Sequence, residues 1–111
     1  MDCIFCKIVN GEIPSKKVLE NENFLAFHDI NPSAPVHVLI IPKEHYTDFA
    51  STPAETLKEM SLFIKDVAKE LNIEEYRLVT NNGKNAGQEI FHFHVHLLSN
   101  PGGKLKWPKI V

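Results

Sequence analysis

Hydrophobic residues alternate with histidines in FHFHVHLL, residues 91–98, and this period of two predicts a β-strand. Four other short apolar segments predict further strands, at residues 16–20, 24–28, 36–41 and 76–80. The segment VHVLII, at 36–41, is dense in β-branched residues and therefore predicts a central, buried strand. Turn-forming residues separate most of these segments, so we expect short connections between them.

Two helices are predicted, one short and one long. The residues from Ile4 to Asn10 predict a short helical turn, and those from Pro53 to Leu71 predict a long helix. Thr52 is the expected N-cap of the long helix, with Glu55 completing a capping box. Leu62 points away from the apolar stripe of this helix. The stripe, at helical spacing, comprises Leu57, Met60, Ile64, Val67, Ala68 and Leu71.

About five strands with one long and one short helix predict an α+β fold built on an antiparallel sheet. The length of 111 residues suits one domain spanning 1–111. A domain of this size buries only about 60–70% of its surface on folding, so association would add buried area. Together with the exposed Leu62 and a strand edge at Tyr76–Thr80, this predicts a twofold-symmetric homodimer.

Charge and composition narrow the classes of partner. The chain has 12 basic and 14 acidic residues, a net charge of −2, which gives no broad attraction for nucleic acid or anionic membranes. No apolar run approaches the roughly 20 residues of a membrane span. The first residues, MDCIFCKIVNGEIP, lack the basic start and long apolar core of a secretion signal, so we expect a cytoplasmic protein.

Three histidines, His92, His94 and His96, occupy alternate positions of the last predicted strand, so their side chains share one face about 6.5–7 Å apart. Three ordinary surface histidines are one alternative, although half of the six histidines fall within these five residues. A three-histidine metal site is another, but rings on one straight strand converge poorly on a single ion. The spacing favours separate tasks, with one imidazole attacking while its neighbours bind or orient phosphate. The opposite face, expected to pack on the core, comprises Phe91, Phe93, Val95 and Leu97.

The segment HFHVHLL resembles the signature of the histidine triad (HIT) superfamily. Four segments resemble the Hint branch in its bacterial form: CIFCKIVNGEIP, FLAFHDINPSAPVHVLIIPKEH, NNGKNAGQEIFHFHVHLL, which includes this signature, and the late LKWP. The four segments occur in the family order and cover nearly the whole chain. The resemblance implies a HIT-like fold and a purine-nucleotide ligand of the AMP or GMP type.

The resemblance implies that the middle histidine, His94, is the nucleophile that forms a nucleotidyl-histidine intermediate. Asn81, Gln88, His96 and backbone amides near Gly87 are then expected to donate hydrogen bonds to the phosphate. Read alone, NNGKNAGQ would equally suit an ordinary turn.

The segment FHDI resembles the family's nucleoside-binding segment, which implies that Asp29 binds the ribose hydroxyls. His37 matches a supporting histidine behind the triad. Without the resemblance, Asp29 would be read as a turn former, and His37 and the apolar residues as core. The residues expected to surround the base are Ile4, Phe5, Ile8, Phe27 and Ile30.

Glu89 is also expected in the nucleotide site, where it departs from the animal Hint pattern, because many of those proteins have a hydroxyl residue there. Its carboxylate either turns away from the nucleotide phosphate or serves as a general acid, which leaves the leaving-group preference open.

The expected activity is hydrolysis of nucleoside 5′-phosphoramidates, releasing a nucleoside monophosphate. No Walker motif or carboxylate cluster is present, so we expect catalysis to need no magnesium. Hydrolysis of dinucleoside polyphosphates is one alternative, although LKWP favours the Hint branch. A purine-nucleotide sensor or scaffold without turnover is the other.

The pair Cys3 and Cys6 forms a C-x-x-C motif, which suits either metal binding or redox chemistry. The resemblance to some bacterial HIT proteins implies a structural zinc completed by His45 and His92.

In the Hint branch the C-terminal tail reaches the partner's site, so Trp107 is expected near the partner subunit's pocket.

Overall fold

The computed structural model describes residues 3–106 and consists of one sheet with a helix on each face. The predicted Trp107 contact lies outside these residues. Both predicted helices are present, α1 (Ile4–Val9) and α2 (Ala54–Glu70). All five predicted strands are present: β1 (Lys17–Glu20), β2 (Phe24–His28), β3 (Val36–Pro42), β4 (Arg77–Val79) and β5 (Val95–Ser99).

The strand order is β1-β2-β3-β5-β4, and every neighbouring pair is antiparallel. After β3 the chain passes through α2 to β4 at the far edge, and then returns as β5 to pair with β3. The predicted α+β class and antiparallel sheet are confirmed. This connection puts β5, which carries His96, in the middle of the sheet.

Both faces of the central strands are buried, which explains their continuous apolar sequences. On one face α2 packs through Met60, Phe63 and Val67 against alternate residues of β2, β3 and β5. On the other face α1 packs through Phe5 and Ile8 against the remaining residues of β2 and β3. None of the helices between residues 3 and 106 is long and apolar enough to cross a membrane.

The predicted capping of the long helix is wrong. The helix begins at Ala54, Pro53 occupies the N-cap, and no side-chain hydrogen bond caps it. The hydroxyl of Thr52 instead donates to the carbonyl oxygen of Asp48 at 2.7 Å, which closes the preceding turn. The predicted apolar stripe is confirmed, and it also includes Phe63, only 2% exposed.

The predicted strand at 91–98 is shorter than the alternation suggests, because regular pairing begins only at Val95. Phe93, Val95 and Leu97 lie in the core as predicted. Phe91 does not: its side chain is 45% exposed. Phe91 precedes the hydrogen-bonded part of β5, so strand pairing does not fix the face to which its side chain points.

Candidate active site

The irregular segment 91–94 leads into β5 and is held by bonds from other parts of the chain. The N–H of Phe93 donates to the carbonyl oxygen of Tyr46 at 2.6 Å. The hydroxyl of Thr80 donates to the carbonyl oxygen of His94 at 2.7 Å. These bonds replace the missing strand pairing and fix the backbone that carries the middle histidine.

The hydrogen bonds of His94 determine which nitrogen carries its proton. Nδ1 lies 2.8 Å from the carbonyl oxygen of His92, which can only accept, so Nδ1 donates. In the neutral ring, Nε2 therefore has the free lone pair. Burial lowers the pKa of His94 below its usual value of 6.5, which favours this neutral form. The ring of Phe5 packs edge-on against it, with centroids 5.2 Å apart.

A chain of hydrogen bonds places the proton of His96 on Nε2, the nitrogen that is unprotonated in His94. The N–H of Ser33 donates to Nδ1 of His37 at 3.0 Å, so the proton of His37 is on Nε2. That nitrogen lies 2.9 Å from Nδ1 of His96 and donates to it. The proton of His96 is therefore on Nε2. Burial, followed by the neighbouring His94 and His37, lowers the pKa of His96 to about 4, so the ring is a neutral donor.

Two histidines of the triad are therefore complementary: Nε2 of His94 has a free lone pair, and Nε2 of His96 carries a proton that it can donate. Both rings border one cavity, and their centroids are 5.0 Å apart. A nucleophile beside a hydrogen-bond donor suits attack on a group whose oxygens gain negative charge.

The cavity has a volume of about 500 Å³ and lies between α1, the ends of β2 and β3, and the loop before β5. Eleven of the twelve predicted nucleotide-binding residues line it: Ile4, Phe5, Ile8, Phe27, Asp29, Ile30, Asn81, Gly87, Glu89, His94 and His96. His37 also lines it. Sequence reasoning missed Ile13 and Ile90 in the wall, although each lies beside a predicted site segment.

Asp29 forms a turn and also borders the cavity. Its Oδ1 accepts from the N–H of Asn31 at 2.8 Å, which forms a turn. Its Oδ2 lies 3.5 Å from Nε2 of His37, on the side of the cavity. The adjacent Ile30 is 92% exposed, so it belongs to the rim and not to the core.

Gln88 is the predicted nucleotide-binding residue that does not line the cavity. Its side chain is buried, accepts from the N–H of Gly83 at 2.8 Å and donates to the carbonyl oxygens of Thr47 and Ile90. The backbone N–H groups of Gly87 and Gln88 also donate within the loop, to Lys84 and Gly83. In this structure these donors hold the loop together, and their predicted hydrogen bonds to a nucleotide phosphate stay a prediction.

Gly87 shapes the cavity wall through its backbone. Its φ of +104° is strained for any residue with a Cβ atom, and a Cβ here would lie 3.6 Å from the side-chain amide of Asn81. A contact of 3.6 Å is ordinary, so the backbone angle and not lack of space requires glycine in this turn beside Asn81, which borders the cavity.

The four predicted metal ligands come together beside the segment 91–94. Their donor atoms, on Cys3, Cys6, His45 and His92, all lie within 4.8 Å of one another. The sulfur of Cys3 is 3.4 Å from Nδ1 of His92, and that of Cys6 is 3.4 Å from Nδ1 of His45. Ligands of a tetrahedral zinc, with bonds of about 2.3 Å to sulfur and 2.0 Å to nitrogen, stand roughly 3.6 Å apart. The arrangement therefore fits zinc.

The protonation states of His92 and Cys6 also suit the binding of a cation by this cluster. Nε2 of His92 donates to the carbonyl oxygen of Pro42 at 2.8 Å, which leaves the lone pair of Nδ1 directed at the two sulfurs. Burial, then the hydrogen bond and charge of Cys3, raise the pKa of Cys6 to about 11. A bound cation would offset this cost and stabilise the thiolate.

Comparison with known proteins shows which family the chain resembles. The family model described as HIT domain matches residues 10–102. A curated relative from Helicobacter pylori, named only as an uncharacterized HIT-like protein, is 53% identical over 98 residues, which cover 86% of this chain and 94% of that protein.

Two solved structures share the fold. A HIT family hydrolase from Clostridium thermocellum superposes with a TM-score of 0.87 at 46% identity, covering 99% of this chain and 97% of that one. A hypothetical histidine triad nucleotide-binding protein from Sulfolobus tokodaii gives a TM-score of 0.82 at 36% identity, covering 92% and 71%. By sequence and by structure, this chain belongs to the histidine triad (HIT) family.

Proposed function

We propose that this protein hydrolyses nucleoside 5′-phosphoramidates through a nucleotidyl intermediate on His94. The observation that carries the proposal is the 2.8 Å bond from Nδ1 of His94 to the carbonyl oxygen of His92. It leaves the lone pair on Nε2 at a cavity wall, and burial favours the neutral ring that a nucleophile needs. The names of the hydrolase from Clostridium thermocellum and the nucleotide-binding protein from Sulfolobus tokodaii agree with this function.

In the first step, the lone pair on Nε2 of His94 forms a bond to the α-phosphorus. The P–N bond breaks, its electron pair stays on the amine nitrogen, and that nitrogen takes a proton from solvent. In the second step, water attacks phosphorus and gives up a proton to solvent. The N–P bond breaks, its electron pair returns to Nε2 of His94, and a nucleoside monophosphate leaves. Nε2–H of His96 and the side-chain amide of Asn81 donate to the phosphoryl oxygens as their charge develops.

The nucleoside end of the substrate would lie between α1 and the end of β2. The apolar side chains of Phe5, Ile8 and Phe27 offer flat and aliphatic contacts for a purine base. The carboxylate of Asp29 is positioned at the cavity to accept from ribose hydroxyls. This division leaves the phosphate at the two triad histidines.

The metal in this proposal is a structural zinc held by Cys3, Cys6, His45 and His92. With four protein ligands it has no open coordination position, so it would stabilise the fold and take no part in the reaction. His92 joins the two sites, because its ring faces the cluster and its carbonyl oxygen orients His94.

The proposed assembly is a homodimer through the β4 edge. Leu78 on this strand is 47% exposed. It borders an apolar groove of about 260 Å³, whose walls also include Phe49, Met60 and Val79. An edge strand beside an exposed apolar groove offers both backbone pairing and apolar burial to a second copy.

Incubation with an adenosine 5′-phosphoramidate, with AMP release as the readout, tests the activity. Mass spectrometry of acid-quenched enzyme should show one added adenylyl group on a peptide containing His94. His94→Asn should abolish both signals, while calorimetric titration still detects AMP binding and so verifies the fold. If the variant retained more than about 5% of the rate, His94 would not be the nucleophile.

A further inference from the structure

The thiols of Cys3 and Cys6, both free cysteines, lie close enough to bond to each other. The N–H of Lys7 donates to the carbonyl oxygen of Cys3 at 3.0 Å, so the two cysteines belong to the first turn of α1. Helix geometry then puts their Cα atoms about 5 Å apart, inside the range of roughly 4.4–6.8 Å that a disulfide spans. Their sulfurs lie within 4.8 Å of each other. The pair that would ligate a metal as thiolates can therefore form a disulfide when it is oxidised.

A cavity beside α1 gives a small oxidant access to this pair. Buried structural cysteines are usually inert, because oxidants do not reach them. Only 7% of Cys3 is exposed, but it lines a cavity of about 740 Å³ between α1, the segment after β3 and the segment before β5. Cys6 is half-buried. Hydrogen peroxide, which is hardly larger than water, can therefore approach the two sulfurs from this side.

Metal ligation and a disulfide connect different parts of the chain. A metal held by the four ligands would join α1 to the segment after β3, through His45, and to the segment before β5, through His92. A disulfide between Cys3 and Cys6 joins only the two ends of one helical turn. Oxidation therefore removes two cross-links between α1 and the rest of the fold, and the short loop that it closes adds little constraint in exchange.

Phe5, which stands between the two cysteines in sequence, connects their state to the cavity bordered by His94. Its ring packs edge-on against His94 and His92, with centroids 5.2 Å and 5.8 Å away. Phe5 and Ile8 supply the α1 side of that cavity and are buried. The cavity wall is therefore complete only while α1 is docked on the sheet.

We infer that Cys3 and Cys6 are an oxidation site for peroxides, and that the disulfide formed there weakens nucleotide binding. The inference rests on the zinc site proposed above and not on cleavage of the P–N bond. One thiolate attacks a peroxide oxygen, the O–O bond breaks, and a sulfenic acid and hydroxide form. The second thiolate attacks that sulfur, the S–O bond breaks, and a second hydroxide leaves. Two protons from solvent convert both hydroxides to water, and the pair, oxidised by two electrons, no longer offers thiolate ligands to the metal.

The test exposes the zinc-loaded wild type to hydrogen peroxide. The tryptic peptide MDCIFCK, residues 1–7, should lose the mass of two hydrogens, and a metallochromic dye should detect release of about one zinc per chain. Hydrogen exchange should become faster at the amides of Lys7 and Asn10, which are bonded within and at the end of α1. AMP should bind about tenfold more weakly, as expected if α1 is docked one tenth of the time. Dithiothreitol with added zinc should reverse all four changes.

Cys3→Ser with Cys6→Ser is the matched control, because it lacks both thiols and retains both methionines. Peroxide should leave its AMP affinity unchanged, which separates cysteine oxidation from methionine oxidation. A wild type that forms the disulfide and keeps its AMP affinity would overturn the inference, and so would a pair that stays reduced in excess peroxide. Neither result depends on turnover, so a failure of the proposed P–N cleavage is recognised separately, by the absence of an adenylyl group on His94.

Discussion

Removing the proposed zinc should release α1 and leave the rest of the fold intact. The perturbation is the double substitution of Cys3→Ser with Cys6→Ser. Cys3 is also the N-cap of α1, and its sulfur accepts from the N–H of Cys6 at 3.3 Å. Serine is a good N-cap residue, so the substitution at position 3 retains capping while it removes a metal ligand whose side chain is 7% exposed.

The size of the effect follows from how weakly α1 is held by its own contacts. The helix has six residues, and ordering their backbone costs about 6–12 kcal/mol. Its two buried apolar side chains, Phe5 and Ile8, contribute about 3–6 kcal/mol by burial. With the middle of each range, a cost of about 9 and a gain of about 4.5 kcal/mol, roughly 4–5 kcal/mol is left to hydrogen bonds and the metal. We therefore expect a loss of about 3 kcal/mol, or roughly 12 °C in melting temperature for a domain of this size.

Elemental analysis should find about one zinc per wild-type chain and none in the double variant. Hydrogen exchange by mass spectrometry then separates local from global effects. The amides of Lys7 and Asn10, bonded within and at the end of α1, should lose protection, while those of α2 and β3 keep it. AMP affinity should fall as well, because Phe5 and Ile8 line the cavity that His94 and His96 border.

Two results would contradict this reasoning. A wild type that carries no zinc even after refolding with it would show that the four ligands do not form a metal site. A zinc-loaded wild type with α1 equally protected in the metal-free variant would show that burial and hydrogen bonds suffice, and that the energy difference above is wrong.

Three further predictions concern the reaction, the ligand and the assembly. Because burial lowers the pKa of His94, acidification to pH 6 should reduce AMP release less than it would for an unperturbed histidine, which is only about one quarter neutral at that pH. A loss of about three quarters of the rate at pH 6 would refute the shift. Replacing AMP by 2′-deoxy-AMP should weaken binding by about 1–2 kcal/mol in calorimetry if Asp29 binds the ribose, and equal affinities would exclude that role. Light scattering at micromolar concentration should give a dimer mass for the wild type. Leu78→Asp, which places a charge in the proposed interface, should give a monomer mass. A monomeric wild type would refute the dimer.

Local pattern alone predicted the regular elements well, because helix and strand periods depend on neighbouring residues. The bounds of β2 were predicted exactly, and the length of α2 within one residue at each end. The alternation of His92, His94 and His96 likewise predicted that their rings share one face, since this needs only the pleat of a strand, and the rings of His94 and His96 do border one cavity. The metal ligands came from the family resemblance and not from periodicity, because His92 is 89 residues from Cys3.

The tertiary structure decided everything that depends on a partner distant in sequence. It made β5 a central strand, bonded His96 to His37 across 59 residues, and thereby set which nitrogen of His96 carries the proton. It also turned Gln88 into the loop and Phe91 out of the core. At both positions the competing environments are equally compatible with the local sequence. A buried amide bonds wherever acceptors surround it, and an aromatic ring packs on whichever apolar wall the fold places beside it.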